Sequence, residues 1–293
     1  MHRAAFLFFG IEGSYDLFDV EEAAFQSQAR WCIEEGLSGF NATIPHKHSA
    51  FELCSRHSLE ARLVGAVNTV RVDSAGELHA HNTDLSGFIY GLGLLHNLAG
   101  TEAVNLKSAI VVGAGGAARA SVMGLILCGY RSVCVIARRV EQAQALCTQI
   151  AESMEREGLK SPDLELDAYD FSSNVLDQSK AISLIVNCTP VGLTVDALPN
   201  WAEQLFCTAA QKKGALHACM FFDTVYKPDL SDTPLLTLAK ENGFLTCDGF
   251  PMLVAQAAYA FQFWTGRLPP HDVLYAAASA EIQSRLAAKS VAS

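Results

Sequence analysis

The feature that most limits the fold is a strand, a glycine turn and a helix in immediate succession. Ala109-Ile110-Val111-Val112 is a run of the kind buried on both faces of a parallel sheet, Gly113-Ala114-Gly115-Gly116 breaks it, and Ala117 to Leu127 continues as an apolar helix. In Gly113-x-Gly115-x-x-Ala118 the glycines allow a tight turn and let a pyrophosphate approach the backbone. The free N–H groups of the following helix then face the phosphates. A second strand, Val133–Ile136, and a second helix, Glu141–Glu157, follow at βαβ spacing, and 184–187 and 220–223 read as further parallel strands. The expected fold class is α/β, with a doubly wound Rossmann nucleotide-binding domain at its centre.

The end of the second strand selects the nucleotide. NAD sites place a carboxylate about 20 residues beyond the glycines to hold the ribose hydroxyls. Here the position reads Ile136-Ala137-Arg138-Arg139-Val140. Two cations attract a 2′-phosphate, so the expected cofactor is NADP, held by Gly113, Ala114, Gly115, Gly116, Ala117, Arg138 and Arg139.

The first third of the chain is organised differently, in short alternating segments. Helical spacing at Ala4, Phe8 and Ile11, period-two alternation over Tyr15–Val20, a helix over 23–35 stopped by Gly36, and a strand over 39–44 with Pro45 opening a helix are expected. A strand over 66–72, a turn at 73–76, a returning strand from His79 to Asn82 and a helix from Asp84 to about His96 complete it. The tail from Pro251 to about Ala288 is helical, with Leu253, Ala257, Ala260, Phe261 and Trp264 on one face and a stop at Gly266.

Lys47 and Asp84 each stand just inside an expected helix start. As neighbours they would form a pair able to move the proton of a substrate hydroxyl while hydride leaves its carbon. Spacing alone does not bring them together. His46 and His48, and His79 and His81, have metal-ligand spacing, but no third ligand follows at a recognisable interval, so no metal site is expected.

Composition excludes several classes. With 21 Lys+Arg against 31 Asp+Glu, a net charge of −10 argues against a nucleic-acid groove. A chain that is 50% hydrophobic is not disordered, and no apolar run reaches the length that spans a bilayer. Nine cysteines without a Cys-x-x-Cys pair read as reduced thiols of a cytoplasmic protein. The apolar stretch Ala4–Ile11 lacks a cleavage site and is not read as a signal peptide.

A series of blocks resembles the shikimate dehydrogenase family. Asn41-Ala42-Thr43-Ile44-Pro45-His46-Lys47, Gly65-Ala66-Val67-Asn68-Thr69 and Asn82-Thr83-Asp84-x-x-Gly87-Phe88 come first, followed by the cofactor loop from Gly113 to Ala120. Asn187-Cys188-Thr189-Pro190-Val191-Gly192, Asp223-x-x-Tyr226-x-Pro228, Thr233-Pro234-Leu235-Leu236, Asp248-Gly249-x-x-Met252-Leu253-x-x-Gln256 and Phe263-Trp264-Thr265-Gly266 follow in order.

The resemblance implies an N-terminal α/β substrate domain (1–88 and 252–293), a Rossmann domain (89–251), C-terminal helices returning to the first domain, and an active site in the cleft between domains. It implies NADP-linked reduction of 3-dehydroshikimate to shikimate by a monomer or homodimer acting on a small molecule. Lys47 and Asp84 match the family's catalytic pair, Thr43, Asn68, Tyr226 and Gln256, with Asp84 again, its substrate contacts, and Thr189 and Gly249 further cofactor contacts.

The alternatives are a quinate/shikimate dehydrogenase using NAD or NADP, and a non-catalytic ligand-binding relative. Two departures bear on them. The family's Asn-Arg-Thr block reads Ala137-Arg138-Arg139, keeping one arginine. The resemblance also begins at the helix Met1-His2-Arg3-Ala4-Ala5-Phe6, so a preceding strand and Ser-x-Ser-Pro turn, with their carboxylate-binding hydroxyls, are expected upstream of Met1, with weaker shikimate binding in their absence.

Overall fold

The computed structural model describes residues 1–103, 108–159, 161–172, 182–193, 197–212 and 219–292. The chain divides into two compact units, Met1–Gly87 with Leu253–Ser293, and Phe88–Met252. The fold class is the expected one: α/β, with a parallel Rossmann sheet in the second unit and the C-terminal helices belonging to the first.

In the first unit α1 (His2–Phe9) and α2 (Phe25–Glu34) precede β1 (Gly39–Asn41), α3 (Lys47–Leu53), β2 (Arg56–His57), α4 (Leu59–Val64), β3 (Thr69–Val72) and β4 (Leu78–His81). The sheet order is β1-β3-β4-β2, antiparallel except for β2 beside β4. Val70 and Ala80 turn one face of it onto Phe25 of α2, Ala50 of α3 and Ala61 of α4, which form one buried cluster.

The expected strand over 15–20 is absent. Alternation specifies two faces but supplies no hydrogen-bonding neighbour, and no described strand pairs with this segment. The Tyr15 carbonyl instead accepts from Arg3 Nη2 at 3.3 Å, and Leu17 and Phe18 lie exposed. The helix expected to open at Pro45 begins two residues later, at Lys47, after a turn.

α5 (Thr83–Ala103) starts where expected, runs past His96 and is broken at Gly100, whose φ of 74° is not helical. The division between units falls within it, and again within α10 (Phe250–Thr265). α11 (His271–Ala292) follows the left-handed Gly266 and lies in the first unit.

The second unit contains β5 (Ser108–Val112), α6 (Gly116–Leu127), β6 (Ser132–Ile136), α7 (Val140–Arg156), β7 (Glu165–Tyr169), β8 (Leu184–Asn187), α8 (Asn200–Lys212), β9 (Met220–Asp223), α9 (Pro234–Glu241) and β10 (Leu245–Cys247). All its strands are parallel, in the order β10-β9-β8-β5-β6-β7. The order reverses between β5 and β8, and the strand ends there are where ligands bind in open α/β sheets.

Ile110, Val112, Ile185 and Phe221 pack against Phe206 of α8 and Leu235 of α9. The alternate residues Val111, Val186 and Phe222 are buried too. Burial of both faces is why the central strands read as unbroken apolar runs. All nine cysteines are free thiols, and no helix among the described residues is long and apolar enough to cross a membrane.

Candidate active site

The first unit contains a cavity of about 860 Å³ lined by Thr43, Lys47, Asn68, Thr83, Asp84 and Gln256 among others. Lys47 is the first residue of α3, and Asp84 lies in the first turn of α5. Asn82 starts α5: its Oδ1 accepts from Leu85 N at 3.1 Å, while its Nδ2 donates to the Ala66 carbonyl at 2.9 Å. A carboxylate in that first turn is favoured by the helix dipole.

Lys47 Nζ meets Asp84 Oδ2 at 2.5 Å, across 37 residues of sequence. The Asp84 side chain is 7% exposed and that of Lys47 20%, so the pair is held inside the protein with the ammonium on its wetter side. Gln256, reaching in from α10, donates Nε2 to the other carboxylate oxygen at 2.7 Å. Both Asp84 oxygens are thereby engaged, which fixes the carboxylate plane and with it the position of the lysine.

Asn68 is oriented with similar care. Its Oδ1 accepts from Thr83 N at 2.8 Å, from Thr69 Oγ1 at 3.0 Å and from Thr83 Oγ1 at 3.2 Å. A backbone N–H can only donate, so the oxygen is assigned and the Asn68 amide N–H₂ is the group left for a ligand in the cavity. Behind it, Asn41 Nδ2 donates to the Asn68 carbonyl at 3.0 Å and to Thr69 Oγ1 at 2.9 Å. Asn41 Oδ1 in turn accepts from Tyr15 at 3.0 Å. Asn41, Thr69 and Thr83 are supports that sequence reasoning passed over, although all three stand inside the quoted blocks.

Five of the expected residues therefore share one cavity: Thr43, Lys47, Asn68, Asp84 and Gln256. Tyr226 lies in the second unit, half-buried beyond β9, with its ring 5.9 Å from that of Phe250. Burial raises its hydroxyl pKa above the usual value.

The cofactor candidates all belong to the second unit. Gly113 follows β5 with φ of 113°, and a Cβ there would meet the Cys188 backbone at 3.0 Å. No side chain caps α6 at Gly115, and its first intrahelical bond is Arg119 N to Gly115 O at 3.1 Å. The N–H groups of Gly116 and Ala117 thus stand free of the helix ladder, as an anion site requires.

Arg138 and Arg139 are exposed just beyond β6, and their guanidinium groups have no ion pair or hydrogen bond among the described residues. Thr189 follows β8, its N–H and hydroxyl donating to Asn187 Oδ1 at 3.0 and 2.7 Å. Gly249 is buried where a Cβ would meet the Thr224 carbonyl at 2.3 Å, and its N–H donates to Val225 O at 3.1 Å. Uncapped amides, a close backbone approach and two unpaired guanidinium groups fit a phosphorylated dinucleotide.

The histidines have other partners. His46 stacks on Phe25, with ring centroids 4.7 Å apart, and His48 pairs with Glu52. His81 accepts or donates with Ser58 Oγ at 2.8 Å. Asp73, Glu77 and His79 place ligand atoms within 4.8 Å of one another, but they close a hairpin turn. Asp73 takes the Ala75 and Glu77 N–H groups and pairs with His79, and Glu77 pairs with Arg56.

A parallel sheet with an uncapped glycine turn in one unit, and a buried lysine–carboxylate pair in the other, is the pattern of a two-domain dinucleotide-dependent oxidoreductase. Residues 1–70 match the family model for the shikimate dehydrogenase substrate binding domain, and residues 249–278 that for the shikimate 5′-dehydrogenase C-terminal domain. A relative named shikimate dehydrogenase (NADP(+)) from Symbiobacterium thermophilum is 34% identical over 97% of this chain and 90% of its own. A shikimate dehydrogenase solved in complex with NADP+ superposes with a TM-score of 0.78 at 30% identity, covering 96% of this chain and 89% of that one. A quinate dehydrogenase from Corynebacterium glutamicum, solved with NAD, gives 0.76 at 28% identity over 94% and 90%. The chain belongs to the shikimate dehydrogenase family.

Proposed function

We propose that this protein interconverts 3-dehydroshikimate and shikimate with NADP, the reductive direction being the working one. The observation that carries this reading is the Lys47–Asp84–Gln256 constellation in one cavity. In reduction the substrate carbonyl oxygen gains negative charge as its carbon takes up hydride, and Lys47 Nζ, at the cavity wall, delivers the proton to that oxygen. In oxidation Lys47 takes the proton back. Asp84 holds the ammonium in place and Gln256 holds Asp84. Asn68 Nδ2 and the Thr43 hydroxyl donate to the substrate's other oxygens.

When bound, NADP supplies the hydride-transferring ring. Gly113, Ala114, Gly115, Gly116, Ala117, Thr189 and Gly249 shape its backbone cradle, and Arg138 with Arg139 favours the 2′-phosphate. Tyr226 is assigned to the substrate on the family resemblance. The compartment that fits nine free thiols is the cytoplasm, and the assembly that fits the family is a monomer or homodimer.

The test is initial rates of nicotinamide reduction with shikimate or quinate, each paired with NADP or NAD. The expected order puts shikimate with NADP first. A higher kcat/KM for quinate with NAD would replace this reading with the quinate branch, which the NAD-bound structural neighbour represents.

A further inference from the structure

Asp223 is the last residue of β9, directly opposite Asn187, the last residue of β8. It is fully buried, and its partners among the described residues are donors. Oδ1 accepts from Asn187 Nδ2 at 2.9 Å and from Val225 N at 3.1 Å, while Oδ2 accepts from Thr233 Oγ1 at 2.6 Å. No cation pairs with it among the described residues, and burial, with Asp248 nearby, pushes its carboxyl up to about 6. Burying a carboxylate without a counter-ion costs stability even when hydrogen bonds offset part of it, so this one calls for a role that needs an acceptor-only side chain.

The geometry shows what needs it. Asn187 can give its N–H₂ to Asp223 only by turning Oδ1 the other way, and that oxygen takes both the N–H and the hydroxyl of Thr189. The turn held in this way abuts Gly113, where a Cβ would meet Cys188 backbone atoms at 3.0 Å. From the other side the same carboxylate fixes Val225, whose carbonyl takes the Gly249 N–H. Three stretches assigned to the cofactor, at Gly113, Thr189 and Gly249, are thus tied to one buried side chain.

We infer that Asp223 is a positioning residue for cofactor binding: acting through Asn187, it orients Thr189 and keeps the strand-end turns in the shape that receives the dinucleotide. This rests on the NADP reading above. Asparagine at 223 is nearly isosteric but either sets its N–H₂ against that of Asn187 or turns it to Thr233, whose hydroxyl then loses its acceptor, and in both orientations the charge that strengthens these bonds is gone. Exchanging the pair, Asn187→Asp with Asp223→Asn, restores one acceptor facing one donor between the strand ends and leaves an oxygen for Thr189, at the cost of the Val225 N–H bond to residue 223.

The experiment is fluorescence titration of NADPH, with shikimate KM and kcat measured in parallel, on the unmodified protein, Asp223→Asn, the exchanged pair and Thr233→Ala. Asp223→Asn is expected to raise the NADPH Kd about tenfold, the scale of one lost hydrogen bond to a charged group, with shikimate KM little changed. The exchanged pair is expected to return the Kd to within about threefold of the unmodified value. Thr233→Ala, which removes the bond to Asp223 Oδ2 and the cap bond from Leu236 N but leaves Asn187 and Thr189 in place, is expected to lower the unfolding midpoint while the Kd stays within about threefold.

A folded Asp223→Asn with unchanged NADPH Kd would overturn the inference. Where that variant does not fold, the exchanged pair decides: folded with near-normal binding supports the inference, and folded without NADPH binding overturns it. Failure of the unmodified protein to bind NADPH would overturn the cofactor reading itself.

Discussion

The two units build their candidate sites from different materials. In the second unit the cofactor end is largely backbone: a left-handed Gly113, uncapped amides at the start of α6, and a buried Gly249 against the Thr224 carbonyl. In the first unit the cavity is nearly all side chain: Lys47 on Asp84, Gln256 on Asp84, and Asn41 and Thr69 behind Asn68. A backbone site depends on where glycine stands and on a continuous strand–turn–helix. A side-chain site depends on pairs that meet only in the fold, and a single truncation removes a function while the framework stays.

That contrast sets the scale of three expected effects. The largest belongs to the first unit. Lys47→Ala is expected to lower turnover by roughly 10²–10⁴, the range for a lost general acid/base, and Asp84→Asn by a similar factor, because a neutral amide no longer anchors the ammonium. Near-normal kcat in both variants would break the assignment of chemistry to this unit.

Next comes Arg138→Ala in the second unit. A charge-assisted bond to the 2′-phosphate contributes about 1.5–3 kcal/mol, so KM for NADP is expected to rise roughly 10- to 100-fold while KM for NAD stays nearly constant. Equal rises for both cofactors would mean that the arginine supports the loop and does not read the phosphate.

The smallest effect tests the supports. Asn41→Ala removes two donors behind Asn68 and is expected to raise shikimate KM about three- to tenfold with kcat largely kept, on the scale of one neutral hydrogen bond. A fall in kcat alone would place Asn41 nearer the proton transfer than the geometry does.

Legibility in the sequence followed the same divide. The central strands β5, β6, β8 and β9 were visible because burial on both faces makes them unbroken apolar runs, and the glycine turn between β5 and α6 carried its own signature. The outer strands β7 and β10 were not. Glu165–Tyr169 alternates charge with apolar residues, and Leu245–Cys247 is three residues long, as suits sheet edges.

In the first unit, period two over Tyr15–Val20 gave a strand where no described partner exists, since pairing is not a local property. Lys47 and Asp84 could be singled out as helix starts, but their 2.5 Å contact and the reach of Gln256 across 172 residues belong to the tertiary fold. The family blocks marked Asn41 and Thr69 without saying what they do; only the hydrogen bonds around Asn68 identify them as supports.

The division of labour between the units is tested most directly by one protein measured two ways. Lys47→Ala is titrated with NADPH and assayed for NADP-dependent shikimate oxidation. The account predicts an NADPH Kd within about twofold of the unmodified protein beside a turnover lowered at least ~100-fold. A turnover close to that of the unmodified protein, or a loss of NADPH binding that accounts for the missing activity, would contradict it.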